Sequence, residues 1–124
     1  MNKQRPKHLS LHLIRLPLPG IVSILHRASG ALLFLTLPLL LWMLQCSLLS
    51  IETYSELIDN LHRPASKIFL LMVLWAFMHH FCAGLRYLAV DMHWISDLAS
   101  ARNSSKVVIA VSLALTIFAG VKLW

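Results

Sequence analysis

Residues 68–85 read IFLLMVLWAFMHHFCAGL, an uncharged run interrupted by two adjacent imidazoles, His79 and His80. Eighteen or so apolar residues suffice for one bilayer crossing as an α-helix. An ionisable side chain in hydrocarbon is costly, so it normally faces a partner helix, a water-filled cavity or a metal. This run has no second ligand at the i+4 spacing of a zinc site and no acid to pair with an imidazole. A haem iron is then the most economical partner, which points to one piece of a membrane cytochrome.

Two further apolar runs accompany this one. Residues 28–51 are uncharged and long enough to span, while residues 107–121 fall slightly short of the usual ~17–25. The short run can still cross, with Lys106 and Lys122 snorkelling and Trp124 anchoring at the interface. The 124-residue chain is 58% hydrophobic and only 13% charged, against about 25% charge in soluble domains. These features favour an all-α membrane protein over a soluble bundle, with three transmembrane helices near residues 21–51, 66–90 and 105–124. No repeat or low-complexity segment is visible, so residues 1–124 read as one membrane domain without a sizeable core of its own.

Residues 1–20 read as a short interfacial lead-in. Leu9, Leu11, Leu13, Ile14 and Leu16 alternate with His8, His12 and Arg15, and Pro17 and Pro19 interrupt regular continuation before Gly20. They have neither the apolar core nor the cleavage site of a signal peptide. Pro38 should bend the first span, which membrane helices tolerate where neighbours satisfy the freed backbone groups. Cys46 and Cys82 lie inside apolar runs and behave as small hydrophobes, so they give no disulfide framework.

Charge sets the expected orientation. Lys3, Arg5, Lys7, Arg15 and Arg27 precede any acidic residue, the first being Glu52. The first loop, 52–67, holds Glu52, Glu56 and Asp59 against Arg63 and Lys67; the second holds Arg86, Arg102 and Lys106 against Asp91 and Asp97. Basic residues thus favour a cytoplasmic N-terminus and second loop. The formal net charge of +6 fits topology and anionic headgroups, and no basic stripe interleaved with aromatics suggests nucleic acid.

Two constellations lie toward that end. In Ser23-Ile24-Leu25-His26-Arg27-Ala28-Ser29-Gly30, helical spacing puts Ser23, His26, Arg27 and Gly30 on one face. Arg27 alone would be an ordinary snorkelling residue; the whole polar face favours a ligand site, since polar groups entering a span usually serve one. In the second, Ala76, His80, Gly84, Tyr87 and Asp91 form one stripe, with small residues a turn either side of His80 leaving room for a flat macrocycle or a close helix. His79 falls on another stripe with Trp75, Ala83 and Arg86, and suits an interhelical hydrogen bond or a watered lipid-facing position. Geometry therefore prefers His80 as the iron ligand. His80 should lie about 15 Å below the Asp91 end, with His26 and Arg27 near the surface, where haem propionates reach them. His26 is then too shallow for a second axial ligand, and His8, His12, His62 and His93 lie outside the spans, so a second imidazole would come from another polypeptide.

At these residues the chain resembles the cytochrome b membrane-anchor subunit of succinate dehydrogenase, the larger anchor of respiratory complex II of proteobacterial type. The matching positions are Arg5-Pro6, Ser23-Ile24-Leu25-His26-Arg27 with Ser29-Gly30, and His80 with Gly84, Leu85-Arg86 and Asp91, in order and across essentially the whole chain. The resemblance implies packing with a second three-helix anchor, one haem b shared between the two, and His80 as this subunit's axial ligand. It implies a ubiquinone site including Ser23 and Arg27, His26 beside the haem propionates, and flavoprotein and iron–sulfur partner subunits in a bacterial inner membrane. Ubiquinone is then the substrate reduced, and no catalytic residue falls on this chain. Relatives often carry histidine where this chain has Tyr87. The chain has no flavin fingerprint and no cysteine run for iron–sulfur clusters, so succinate oxidation, a step of the tricarboxylic acid cycle, belongs to partners. Two other readings compete: a fumarate reductase-type anchor, and a haem-free scaffold in which the histidines bond across helices.

Overall fold

Residues 15–123, described by this computed structural model, form four α-helices: α1 (Leu18–Leu49), α2 (Ile51–His62), α3 (Pro64–Asp91) and α4 (Leu98–Leu123). No strand occurs among the described residues. Helices α1, α3 and α4 are each long and apolar enough to cross a membrane. The lead-in expected over residues 1–20 lies outside the described residues up to residue 14, and α1 already begins at Leu18. Pro17 is its N-cap and Pro19 sits in the first turn, where no intrahelical N–H is needed. Pro38 lies within α1, which remains one assigned helix on both sides of it.

The helix pairing follows from close approaches. Gly30 faces His80 and Gly84 faces His26, so α1 runs antiparallel to α3. Arg86 bonds Ser104, and Gly120 faces Leu71, so α4 also runs antiparallel to α3. The result is an up-down-up bundle with α3 between its neighbours. One end gathers the start of α1, the end of α3 and the start of α4. The other gathers the end of α1, α2, the start of α3 and the end of α4.

Burial in this bundle is inverted relative to a soluble protein. Its interior holds Ser29, Thr36, His79, Ser105 and Ser112 beside Val22, Ala76, Ala83 and Val108, while Phe34, Leu35, Leu48, Ile117 and Phe118 point outward. Lipid is as apolar as leucine, so helices associate through small residues that allow close approach, not by hiding large ones. Each buried hydroxyl bonds back to its own helix: Ser29 to the His26 carbonyl, Thr36 to Leu33, Ser105 to Ala101 and Ser112 to Ile109. Arg86 crosses between helices, its Nε donating to Ser104 Oγ at 2.9 Å and its Nη2 to the Ala101 carbonyl at 3.3 Å.

Two boundaries differ from the sequence-based expectation. Residues 52–67 read from sequence as a polar loop; in the structure most of them form α2. Ser50 caps that helix by accepting the Thr53 N–H at 3.2 Å, and Thr53 Oγ1 accepts the Ser50 N–H at 3.1 Å. The Thr53 hydroxyl also donates to the Cys46 carbonyl at 2.8 Å, tying α2 to the end of α1. The last helix, expected from about residue 105, starts at Leu98 because Asp97 accepts the Ser100 N–H at 3.0 Å. Two polar turns therefore precede the apolar part of α4.

Candidate functional site

The antiparallel register of α1 and α3 assembles a cluster of imidazoles. His80 Nδ1 lies 3.0 Å from the His26 carbonyl oxygen and 3.3 Å from Ser29 Oγ, while that hydroxyl donates to the same carbonyl at 2.9 Å. A carbonyl only accepts, so the His80 proton sits on Nδ1. In the neutral form of the ring, the lone pair is then on Nε2, where a metal would take it. A backbone carbonyl on the far nitrogen of a ligating histidine fixes the tautomer and raises ligand basicity.

Gly30 makes the approach possible. A Cβ built there would stand 2.8 Å from His80 Cε1 and 3.2 Å from Nδ1. The His26 ring stacks on His80 with centroids 4.2 Å apart and planes 11° apart, passes over Gly84, and meets Tyr87 at 5.2 Å. Sequence reading placed His26 well above His80; the structure sets the rings at one level. The reason is the start of α1. With Leu18 level with the end of α3, His26 is already about 12 Å into the helix, and His80 about 16 Å below Asp91. Two rings stacked face to face cannot flank one iron, because an axial imidazole points at the metal along its own plane. His26 therefore could not share one iron with His80.

Ser23, His26, Arg27 and Gly30 do occupy one sector of α1. At 100° per residue, His26 and Gly30 form the edge touching α3, and Ser23 and Arg27 the outer edge. Ser23 is half-buried and Arg27 exposed. Among the described residues, neither makes a hydrogen bond to another side chain, so a hydroxyl and a guanidinium remain available beside the imidazole cluster.

His79 has the opposite environment. It is 1% exposed, stacks with Trp75 at 5.4 Å, and among the described residues leaves Nε2 without a hydrogen-bond partner. It belongs to the three-helix interior, not to lipid. Two residues that the sequence named without a structural role gain one here: Ser29, one turn after His26, and Arg86, which joins α3 to α4. The Ser29 spacing was visible; nothing in sequence marked Ala101 and Ser104 as partners of Arg86. Among the described residues no three His, Cys, Asp or Glu side chains converge as a metal site, so a metal at His80 needs ligands from a cofactor or another chain. A cavity of about 570 Å³ lies at the opposite end, walled by Trp42, Leu57 and Phe69 and rimmed by Glu56 and Arg63. It shares no residue with the imidazole cluster.

Comparison with known proteins gives a consistent picture. Residues 1–119 match the family model described as succinate dehydrogenase/fumarate reductase transmembrane subunit. The chain is 35% identical to the succinate dehydrogenase cytochrome b556 subunit of Coxiella burnetii, over 100% of both chains. It is 31% identical to the protein of that name in Paracoccus denitrificans, over 91% of this chain and 87% of the relative. The likeness to the Rickettsia felis protein of that name is 27%, over 91% and 88%.

Proposed function

Because the chain belongs to the succinate dehydrogenase/fumarate reductase transmembrane-subunit family, we propose that it is the larger membrane anchor of a succinate:ubiquinone oxidoreductase, holding haem b jointly with a second small anchor and forming part of the ubiquinone site. The observation that carries this reading is the state of His80, whose Nδ1–H is committed to the His26 carbonyl while Nε2 keeps its lone pair. That donor suits haem iron, and Gly30 lets the His80 ring lie close against α1. Haem b, when bound, would supply one-electron storage near the quinone site.

The chain's own residues divide the remaining work. His80 binds the iron, and the His26 carbonyl holds its ring in the ligating tautomer. His26, through a ring N–H, and Arg27, through its charge, are the groups available to the haem propionates. Ser23 presents a hydroxyl to a quinone carbonyl. Arg27 presents a fixed positive charge where negative charge develops during reduction, an interaction strengthened at low dielectric. Succinate is oxidised on a flavoprotein subunit, with an iron–sulfur subunit between it and the membrane. The basic end of the bundle faces the cytoplasm of a bacterium, and the complex sits in the inner membrane.

Ser23→Ala and Arg27→Leu test the quinone assignment. Each should lower succinate–quinone reductase activity about tenfold or more, the loss of one charge-assisted or polar contact in a dry site. Succinate oxidation with an artificial acceptor should stay near the wild-type level. Undiminished quinone reduction in both variants would make these residues structural.

A further inference from the structure

Arg86 is a buried cation that joins α3 to α4 without a carboxylate partner among the described residues. It is 8% exposed, and both of its hydrogen-bond partners, Ser104 Oγ and the Ala101 carbonyl, are neutral. The guanidinium also lies 5.5 Å from the Tyr87 ring centroid. No carboxylate pairs with it among the described residues. Among the described residues, two of the five N–H donors of this arginine are used. A buried charge without a counter-ion is strongly unfavourable, more so beside hydrocarbon. An anion from outside the chain resolves this.

The surroundings say what kind. Arg86 and Ser104 form the polar end of a cavity of about 420 Å³ between α3 and α4. Its other walls, among them Leu85, Val107 and Val111, are apolar and run from Arg86 toward the middle of the bundle. Exposed Arg102 and Lys106 stand on α4 at the same end. Of the acids there, Asp97 is engaged in capping α4 at Ser100. Arg86 is six positions from His80, about 120° around α3, so it does not share the imidazole face. A charged mouth continued by an apolar trough matches an amphiphile with an anionic head and a chain.

We propose that the α3–α4 groove is a binding site for an anionic phospholipid, with the phosphate on Arg86 and one acyl chain along Leu85, Val107 and Val111. The groove includes none of His80, His26, Ser23 and Arg27 in its lining. Its role is to neutralise Arg86 and to lock α4 against α3.

The test uses the full-length chain, purified from membranes in mild detergent with its associated subunits and then depleted of lipid. Adding phosphatidylglycerol should raise its thermal midpoint and leave one phospholipid per chain detectable by native mass spectrometry. Phosphatidylcholine, lacking net negative charge, should do so less, and inorganic phosphate should not. Arg86→Gln should weaken phosphatidylglycerol retention about tenfold, and Arg86→Lys should restore part of it. If Arg86→Gln fails to assemble, Val111→Trp decides instead, since it fills the trough from an exposed position without touching Arg86; it should abolish the response. An equal response to inorganic phosphate, or retention unchanged in Arg86→Gln or Val111→Trp, overturns the proposal. So does an absent phosphatidylglycerol response in the wild type, the result expected if a partner subunit's carboxylate pairs with Arg86.

Discussion

At Gly30 the His80 ring occupies the space a side chain would need, so the missing Cβ is what admits that ring. An added Cβ stands 2.8 Å from His80 Cε1, against 3.8 Å between an added Cβ at Gly84 and His26 Nε2. Gly30→Ala is therefore expected to displace His80 and lower haem content, while Gly84→Ala keeps it near the wild-type level. Equal haem in the two variants would refute the packing argument. Backbone strain lies elsewhere, at the end of α3. His93 has φ of 61° and ends α3, with its N–H on the Val90 carbonyl and the Trp94 N–H on Ala89. That closure usually carries glycine, since a Cβ in the left-handed region costs roughly 1–2 kcal/mol. His93→Gly should raise the thermal midpoint by stabilising the chain by about 1 kcal/mol; a lowered midpoint contradicts this. The His80 preference over His79 came from stripe arithmetic, and the structure separates the two rings as that arithmetic required. The buried hydrogen bond to the His26 carbonyl was not legible, because it depends on a helix register that sequence does not state.

Among the elements, the three apolar helices were plain from run length and charge, whereas α2 was hidden. Its cap pairs Ser50 with Thr53 instead of the Glu or Gln that marks a capping box, and three acids made the segment read as loop. The signal was the apolar row Tyr54, Leu57, Ile58 and Leu61, spaced for one helical face. Ser50→Ala should cost about 1 kcal/mol locally, seen as roughly fivefold faster hydrogen exchange in the α2 amides; unchanged exchange would mean that the cap is idle. The start of α4 was missed for a related reason: its first turns are polar and are held by Asp97. Hydrogen bonds from the Ser100 side chain, then its backbone amide, hold the Asp97 carboxyl below its usual value. A depressed carboxyl stabilises the fold fully above the unfolded aspartate value of about 3.9, and that contribution disappears as pH falls through the folded value. Protection of the Ser100 amide, corrected for intrinsic exchange, should therefore fall on acidification below about pH 4. Asp97→Asn, a cap that does not titrate, should show no such fall. Identical pH profiles would exclude Asp97 as the cause.

For the whole molecule, an up-down-up bundle with polar groups inside and leucines outside is built for lipid as solvent. Its ends differ in charge: Arg15, Arg27, Arg102 and Lys106 gather at one, Glu52, Glu56 and Asp59 at the other. That asymmetry was fully legible from sequence and predicts orientation. An impermeant thiol reagent applied to intact cells should label Asn60→Cys and reach Ser96→Cys only after permeabilisation; the reverse pattern would invert the topology. Depth was less legible, since the level of His26 against His80 depends on where α1 starts relative to α3. The central claim is that His80 ligates haem iron, and the reduced-minus-oxidised absorbance spectrum of membranes carrying His80→Ala tests it most directly. With the chain present at its normal level, the b-type α-band should be lost or shifted in His80→Ala and kept in His79→Gln. A band unchanged by His80→Ala would contradict the account.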